Sequence, residues 1–208
     1  MKKDVLMELV WPEEDPCKTA KRFHVALAAL RKTLEPEILK GVPSSYLLSH
    51  GDAYKIDIGP DGRVDFEQFI QELNLAGKET DPEKAVHHYL NAEAEYAGNF
   101  LEEDLYVEWC GDERERFKED YLRALTAIMN YFENKQQFDK CIEYAGKYLR
   151  FDKYAEPVYQ SLMRCYSYTQ NPAMVIKTFN KCKKSIMTEL NCPLSRASLE
   201  LYERLGVN

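Results

Sequence analysis

The sequence predicts a mainly α-helical protein, in which an array of stacked helical hairpins follows a small N-terminal element of two helices and a β-hairpin. Three observations indicate this class. Apolar residues recur at helical spacing from residue 65 onward, a 34-residue repeat runs through the last part of the chain, and β-rich runs flanked by turn residues lie before residue 58. The chain has 208 residues, 45% hydrophobic and 30% charged, which suits one or two domains with an apolar core.

The first predicted helix is short. Asp4 is a suitable N-cap, an apolar segment covers residues 5–10, and the dipeptide WP then ends the helix. The dipeptide DP at residues 15–16 predicts the start of a second and longer helix, because aspartate is a preferred N-cap and proline a preferred first helical residue.

The second predicted helix has an apolar face and a basic face. At about 100° per residue, the stripe expected to be buried consists of Ala20, Phe23, Leu27, Leu30 and Leu34. The opposite face interleaves cations with small apolar residues.

Charge is unevenly distributed along the chain. Residues 17–40 hold six basic and two acidic side chains, a net charge of +4 in a chain whose net charge is −7. Residues 91–120 hold three basic and eleven acidic ones, a net −8. A basic element therefore precedes an acidic body.

This basic face has two interpretations. A helix that enters a DNA groove needs cations for the phosphates and small side chains that let its backbone approach base edges and thymine methyl groups. An ordinary solvated helix face can show the same pattern, so the pattern alone does not decide between them. The candidate DNA-binding residues are Lys18, Lys21, Arg22, Val25, Lys32 and Lys40.

The segment after the basic helix is predicted to form a β-hairpin. The runs ILKGVPSSYLLS and AYKIDI are rich in β-forming residues and are broken by glycine, proline and serine. Helix, turn, basic helix and hairpin follow one another as in the second half of a winged helix. We therefore expect a partial winged-helix domain over residues 1–58 and a helical domain over residues 59–208.

The stretch DIGPDGRVDFEQF partly matches a calcium-binding EF-hand loop. Its position 3 is Gly59 and its position 12 is Gln68, where the EF-hand needs an oxygen ligand and a bidentate glutamate. The residues before Asp57 also predict a strand instead of an entering helix. We expect a Pro-Asp-Gly turn without calcium binding, followed by a helix that begins near Asp65.

The helical domain contains an internal repeat. Five pairs of residues stand 34 positions apart, which is the tetratricopeptide period: Phe132 and Tyr166, Gln136 and Gln170, Cys141 and Val175, Ala145 and Phe179, Tyr148 and Cys182. The repeat predicts helical hairpins over residues 118–152 and 154–188, which stack because neither can bury its apolar face alone. A helix over 195–205 is the expected cap, and helices over 65–76 and 82–96 are expected to form an upstream hairpin.

These elements in this order resemble a known family. The stretches LMELVWPEEDP, VALAALRKTLEP and SYLL resemble the second helix, recognition helix and wing of an OmpR-type winged helix. The stretches VDFEQF, YAGNFLEE, EWCGDERERF and TELNCPLS resemble signatures of the bacterial transcriptional activator domain of the Streptomyces antibiotic regulatory protein (SARP) family. The resemblance covers nearly the whole chain. It implies a DNA-binding transcription regulator whose helical domain mediates protein contacts.

The resemblance also implies that the first residue falls inside a winged-helix domain. We therefore expect the chain to be a fragment of a longer regulator or a natural truncation. The implied partners are DNA, through the complete winged helix, and the transcription machinery or other proteins. Truncation would leave an apolar face of the first helix without cover, formed by Val5, Leu6, Leu9, Val10 and Trp11. A homodimer through this face is expected, and docking of the face on the helical-repeat domain is the alternative.

The sequence predicts no enzyme, cofactor or metal site. The pair His87-His88 lacks a third ligand at a recognisable spacing, and no glycine-rich phosphate loop follows a strand. The six cysteines are widely spaced, which predicts reduced thiols in a cytoplasmic protein, and no apolar run reaches the length of a membrane span. The second functional hypothesis is a helical-repeat adaptor that mediates protein contacts and does not itself bind DNA.

Overall fold

The computed structural model describes residues 1–12, 14–39, 41–104 and 108–206. The chain divides into two compact units. The first takes in Met1–Val64 and the short segment that includes Trp109, and the second takes in the other residues from Asp65 onward. The assignment of a winged-helix domain to residues 1–58 and a helical domain to residues 59–208 stays a prediction.

The first unit contains two helices and a β-hairpin, as predicted. The helices are α1 (Lys3–Val10) and α2 (Pro16–Leu34), and the antiparallel strands are β1 (Leu47–His50) and β2 (Ala53–Ile56). Between the strands, Gly51 has a φ of +56°, which glycine adopts without a steric penalty. The turn at Gly51 lets the two strands pair directly, from His50 opposite Ala53 to Leu47 opposite Ile56.

The prediction that Asp4 caps the first helix is wrong. Lys2 occupies the cap position of α1 and makes no side-chain capping hydrogen bond. The reason is tertiary, because the chain start pairs with the hairpin: the amide of Tyr54 donates to the carbonyl of Met1 (2.8 Å), and the amide of Lys3 donates to the carbonyl of Asp52 (2.7 Å). This pairing holds Lys2 in an extended conformation, and the helix begins directly after it.

The second unit is an array of helices. In chain order these are α3 (Asp65–Lys78), α4 (Pro82–Glu95), α5 (Gly111–Asn134), α6 (Phe138–Phe151), α7 (Glu156–Tyr168), α8 (Pro172–Lys183) and α9 (Arg196–Arg204). Short 3-10 turns precede α5, and a π-helical segment at Lys184–Glu189 follows α8. Helices α3 and α4, α5 and α6, and α7 and α8 pack as hairpins, successive hairpins stack through α4 on α5 and α6 on α7, and α9 packs on α7. The mainly α, tetratricopeptide-like fold class is confirmed.

The apolar stripes of these helices meet in a continuous series of clusters. One cluster joins α3, α4 and α5 through Phe69, Ala92, Phe117, Tyr121 and Leu125. The next joins α5, α6 and α7 and includes Ile128, Phe132, Cys141, Ala145 and Cys165. Cys141, Cys165, Cys182 and Cys192 are free thiols, as expected from their spacing. Cys192 is exposed, whereas the other three and Cys110 are buried.

The 34-residue register is visible in the backbone. Gln136 ends the first hairpin's leading helix with a φ of +57°, and Gln170 ends the second's with a φ of +54°. The amide of Gln137 donates to the carbonyl of Phe132, and the amide of Asn171 donates to the carbonyl of Tyr166, each at 2.8 Å. These paired bonds close a helix C-terminus through a left-handed residue. The two repeats therefore share one turn geometry at equivalent positions.

The left-handed glutamines predict a stabilising substitution. Gln136→Gly should raise the free energy of unfolding by about 0.5–1 kcal/mol, because a side chain in the left-handed region carries a steric cost that glycine lacks. Gln137→Gly is the matched control, since Gln137 is a neighbouring exposed glutamine with a φ of −89°. Urea unfolding of both variants measures the difference. A loss of stability in Gln136→Gly as large as that in the control would contradict the proposed strain.

The loop that resembles an EF-hand is entered from a strand, as expected. Strand β2 ends at Ile56, and the carboxylate of Asp57 accepts hydrogen bonds from the Lys55 ammonium (3.0 Å) and from the amide of Gly59 (3.0 Å). The hydrogen bond from Lys55 is the main reason why the pKa of Asp57 lies below its usual value. The amide of Gly62 then donates to the carbonyl of Gly59 (3.2 Å). The Asp57 carboxylate thus stabilises a turn, and the expectation that the loop does not bind calcium stays a prediction.

Candidate nucleic-acid interface

Helix α2 is held in the first unit by an aromatic anchor. Phe23 is 5% exposed, and its ring meets that of Tyr54 in β2 edge-on, with 5.1 Å between the centroids. The ammonium of Lys3 in α1 lies 5.8 Å from the Phe23 ring centre. One turn earlier, the buried Thr19 donates its hydroxyl to the carbonyl of Asp15 (2.9 Å). The inner side of α2 thus packs against α1 and the hairpin within the first unit.

The structure places the predicted faces of α2 largely as expected. On the inner side Phe23 is buried, and Ala20, Leu27 and Leu30 are half-buried. Leu34 was expected to be buried but is 38% exposed, because it is the last residue of the helix. Five candidate DNA-binding residues are exposed, and the structure brings them together on one helix: Lys18, Lys21, Arg22, Val25 and Lys32. Lys40, the sixth candidate, lies outside the described residues.

Two arginines of this segment have surroundings that spacing alone did not reveal. Arg22 forms an ion pair with Glu14, and both side chains remain well exposed to solvent. Such exposed pairs contribute little to stability, so phosphate could replace Glu14 at small cost. Arg31 is half-buried, and its Nε atom is buried without a hydrogen-bond partner among the described residues. The exposed positive charge of α2 therefore comes mainly from its lysines.

A carboxylate fixes the end of α2 to the start of the hairpin. Glu35 accepts hydrogen bonds from the Ser44 hydroxyl and from the amide of Ser45 (3.0 Å). The Ser44 hydroxyl in turn accepts from the amide of Leu47 at the start of β1 (2.8 Å). The bond from Ser44 is the largest cause that lowers the pKa of Glu35, so the carboxylate stays ionised. This chain of bonds sets the hairpin at a defined position beside the helix.

Sequence reasoning did not include one exposed cation of the hairpin among the candidates. The Lys55 side chain is 71% exposed, although its ammonium pairs with Asp57 at 3.0 Å. In the run AYKIDI this lysine alternates with apolar residues, which is the pattern of a strand with one solvent-facing side. That alternation could have marked Lys55 as a second cation source beside α2.

The first unit also presents an apolar groove between its helices and the hairpin. The groove has a volume of about 520 Å³, and its lining includes Leu6, Val10, Trp11, Leu27, Leu30 and Ile56. Val5, Leu9 and Val10 on α1 are 45–49% exposed, which agrees with the expected apolar face of this helix. The homodimer expected from that face stays a prediction.

In the part of the chain that the structure describes, no helix has both the length and the apolar character needed to cross a membrane.

Stacked helical hairpins closed by a further helix define a tetratricopeptide-like protein, here preceded by two helices and a hairpin. Residues 64–205 match the family described as the bacterial transcriptional activator domain, and the chain belongs to this family. The family is one of transcriptional activators and is not an enzyme class. The resemblance to a bacterial transcriptional activator domain stated from the sequence is thereby confirmed.

One solved structure shows the same fold over nearly the whole chain. It is that of Mycobacterium tuberculosis EmbR in complex with a low affinity phosphopeptide, which is similar to this chain with a TM-score of 0.70 at 21% sequence identity. The match covers 99% of this chain and 54% of the EmbR chain, so the present chain spans about half of that protein. A comparison with curated proteins finds no match.

Proposed function

We propose that the chain is the DNA-contacting and regulatory part of a transcription regulator. In this proposal α2 is the recognition helix, the hairpin is the wing, and the helical array makes protein contacts. The observation that carries the proposal is the exposed face of α2, where cations alternate with small apolar residues, in a member of a transcriptional activator family. The assignment of α2 to DNA contact rests on the chemistry of its exposed face, because the family match alone supports only the class of transcriptional activators.

The exposed face of α2 suits the two tasks of a groove-reading helix. Lys18, Lys21 and Lys32 present ammonium groups that can neutralise phosphates along the groove edges. Between them Val25 is 70% exposed, and an exposed aliphatic side chain is a suitable partner for a thymine methyl group. Ala28 and Ala29 are also exposed and leave room for close approach of the helix backbone. Cations and apolar contacts thus occupy the same face, which a purely solvated helix does not require.

Lys21→Ala should weaken DNA binding and lower its salt dependence. Each phosphate contact contributes about 0.9 to the slope of log K against log salt concentration, so loss of one contact should reduce the slope by about 1. Fluorescence anisotropy with a labelled duplex at several salt concentrations measures this slope.

The control for this experiment is Lys177→Ala, which removes an exposed lysine of α8 in the second unit. It changes the net charge by the same amount and should leave the slope unchanged. Arg22→Ala should give a smaller reduction than Lys21→Ala, because Arg22 must first leave Glu14. An equal slope for wild type and Lys21→Ala would show that the face of α2 is only solvated.

A helical-repeat adaptor is the second candidate function, and one feature of the second unit favours it. A cleft of about 580 Å³ is lined by Lys118, Lys147 and Arg150 beside the stacked rings of Tyr96 and Tyr121. The Tyr96 hydroxyl is buried without a hydrogen-bond partner among the described residues, and burial raises its pKa to about 12. Glu93 and Glu102 also line this cleft, and Glu93 pairs with Lys147 at 2.8 Å. A protein segment that enters it would therefore meet Lys118, Arg150 and the Tyr96 hydroxyl as its available donors. Unchanged salt slopes together with such binding would favour the adaptor.

A further inference from the structure

A buried polar cluster lies inside the helical array, away from the predicted DNA-binding face. Glu133 is near the end of α5, Cys141 is in the first turn of α6, and Cys165 is in α7. One carboxylate oxygen and the two sulfur atoms all lie within 4.8 Å of one another. Both cysteines are 0% exposed, and the Glu133 side chain is 16% exposed. The 34-residue repeat does not explain this cluster, because the position equivalent to Cys141 is Val175.

We propose that Glu133, Cys141 and Cys165 form a binding site for a thiophilic divalent metal ion of the zinc type. Atoms no farther apart than 4.8 Å share a centre within about 2.8 Å of each, while zinc binds thiolate at ~2.3 Å and carboxylate at ~2.1 Å. The ligand atoms must therefore move inward by only about half an ångström. Two sulfur ligands and one oxygen ligand favour zinc over calcium or magnesium, which prefer oxygen alone.

The charges around the cluster remain balanced when a metal binds. Without metal, the Glu133 carboxylate is neutralised by Arg164, whose Nε and Nη2 donate to its two oxygens at 2.5 and 3.0 Å. Metal binding adds two positive charges, and the two thiols each lose a proton to solvent, so the net charge of the buried group does not change. A buried site that stays neutral avoids the cost of placing an uncompensated charge in the core.

The hydroxyl of Ser161 lies close to both Glu133 and Cys141. The Ser161 hydroxyl donates to the second oxygen of Glu133 (2.5 Å) and lies 3.6 Å from the sulfur of Cys141. Ser161 or a water molecule can then complete a four-coordinate shell, which is the usual number for zinc.

The path to the site leads past Arg164. The Arg164 side chain is 35% exposed, whereas both sulfur atoms belong to fully buried residues. The Glu133 carboxylate is therefore the outermost ligand and the first that an incoming ion meets. The metal would join α5, α6 and α7, that is, the turn of the first repeat hairpin and the leading helix of the second.

Cobalt(II) titration of the whole chain, kept reduced with a phosphine, tests the proposal. One equivalent of cobalt should produce the intense charge-transfer absorption of cobalt–thiolate bonds and release about two protons, measured with a pH indicator in weak buffer. Cys141→Ser and Cys165→Ser should each abolish most of that absorption. Cys182→Ser and Cys192→Ser are the controls, one buried and one exposed, and should leave it unchanged.

A further variant keeps the test valid if a serine variant unfolds. Glu133→Gln retains both thiols and should weaken cobalt binding at least about tenfold while its circular dichroism stays that of the wild type. Absence of the charge-transfer absorption in the folded wild type would overturn the proposal. So would an absorption that survives in Cys141→Ser and Cys165→Ser, or one that depends on Cys192.

Discussion

Arg164→Met should lower the free energy of unfolding by about 3 kcal/mol, because it leaves a largely buried carboxylate without its cation. Glu133 is 16% exposed at its side chain and receives two hydrogen bonds from Arg164, with Nε–Oε1 at 2.5 Å. Urea unfolding in the presence of a chelator measures the loss in the metal-free protein. Arg196→Met is the matched control, since the Arg196–Glu200 pair is 91% and 59% exposed and should contribute less than about 1 kcal/mol.

The double variant separates the loss of the pair from the cost of a lone charge. Glu133→Gln combined with Arg164→Met removes both charges, so it should be more stable than Arg164→Met alone. Ser161 can still donate its hydroxyl to the new amide oxygen. If the double variant were less stable than Arg164→Met by the full effect of Glu133→Gln, the two residues would act independently and the proposed coupling would be wrong.

The same pair predicts a pH dependence of stability. Burial by itself raises the pKa of Glu133, but the hydrogen bonds from Arg164 and Ser161 outweigh it, and the folded-state pKa is lowered. A lowered folded-state pKa stabilises the protein above the unfolded-state pKa of about 4.3. This contribution is lost as the pH falls through the folded-state value. The stability difference between wild type and Glu133→Gln should therefore be constant near neutral pH and shrink below about pH 4.

Val175→Phe should lower the free energy of unfolding by about 1–3 kcal/mol through overpacking. Val175 is 0% exposed and packs in a cluster with Met163 and Leu201, where two helices of one hairpin meet the capping helix. Lys177→Phe is the control on the same helix, because Lys177 is exposed and a larger side chain there meets only solvent. Thermal unfolding followed by circular dichroism compares the two variants.

The equivalent substitution in the first repeat is Cys141→Phe. Cys141 stands 34 residues before Val175 and is also 0% exposed, so the cost should be similar or larger. Equal tolerance of phenylalanine at Val175 and Lys177 would contradict the assignment of Val175 to the closely packed position of the repeat.

Local pattern was sufficient to predict the helices and their faces. The helix predicted over residues 82–96 is confirmed as α4 (Pro82–Glu95), and the Asp81 carboxylate caps it by accepting from the amide of Glu83 at 2.9 Å. The 34-residue pairs identified equivalent positions, and the left-handed glutamines Gln136 and Gln170 confirm them in the backbone. These features were predictable because helix caps and the helical period are properties of neighbouring residues.

Features that join distant parts of the chain were not predictable in this way. The wrong cap assignment at Asp4 arose because Met1 and Lys3 pair with the hairpin some fifty residues later, which no local rule contains. The half-buried position of Arg31 likewise depends on its surroundings and not on its spacing.

The sequence by itself determined that a basic helix and a hairpin are followed along the chain by a helical-repeat array, because periodicity and capping signals encode the elements and their faces. Only the tertiary structure decided which polar side chains meet. Glu133, Cys141 and Cys165 are 8 and 24 residues apart along the chain, with no ligand-like spacing, yet three successive helices bring their ligand atoms within 4.8 Å. Their meeting depends on how α5, α6 and α7 cross, and side-chain packing between helices sets that geometry.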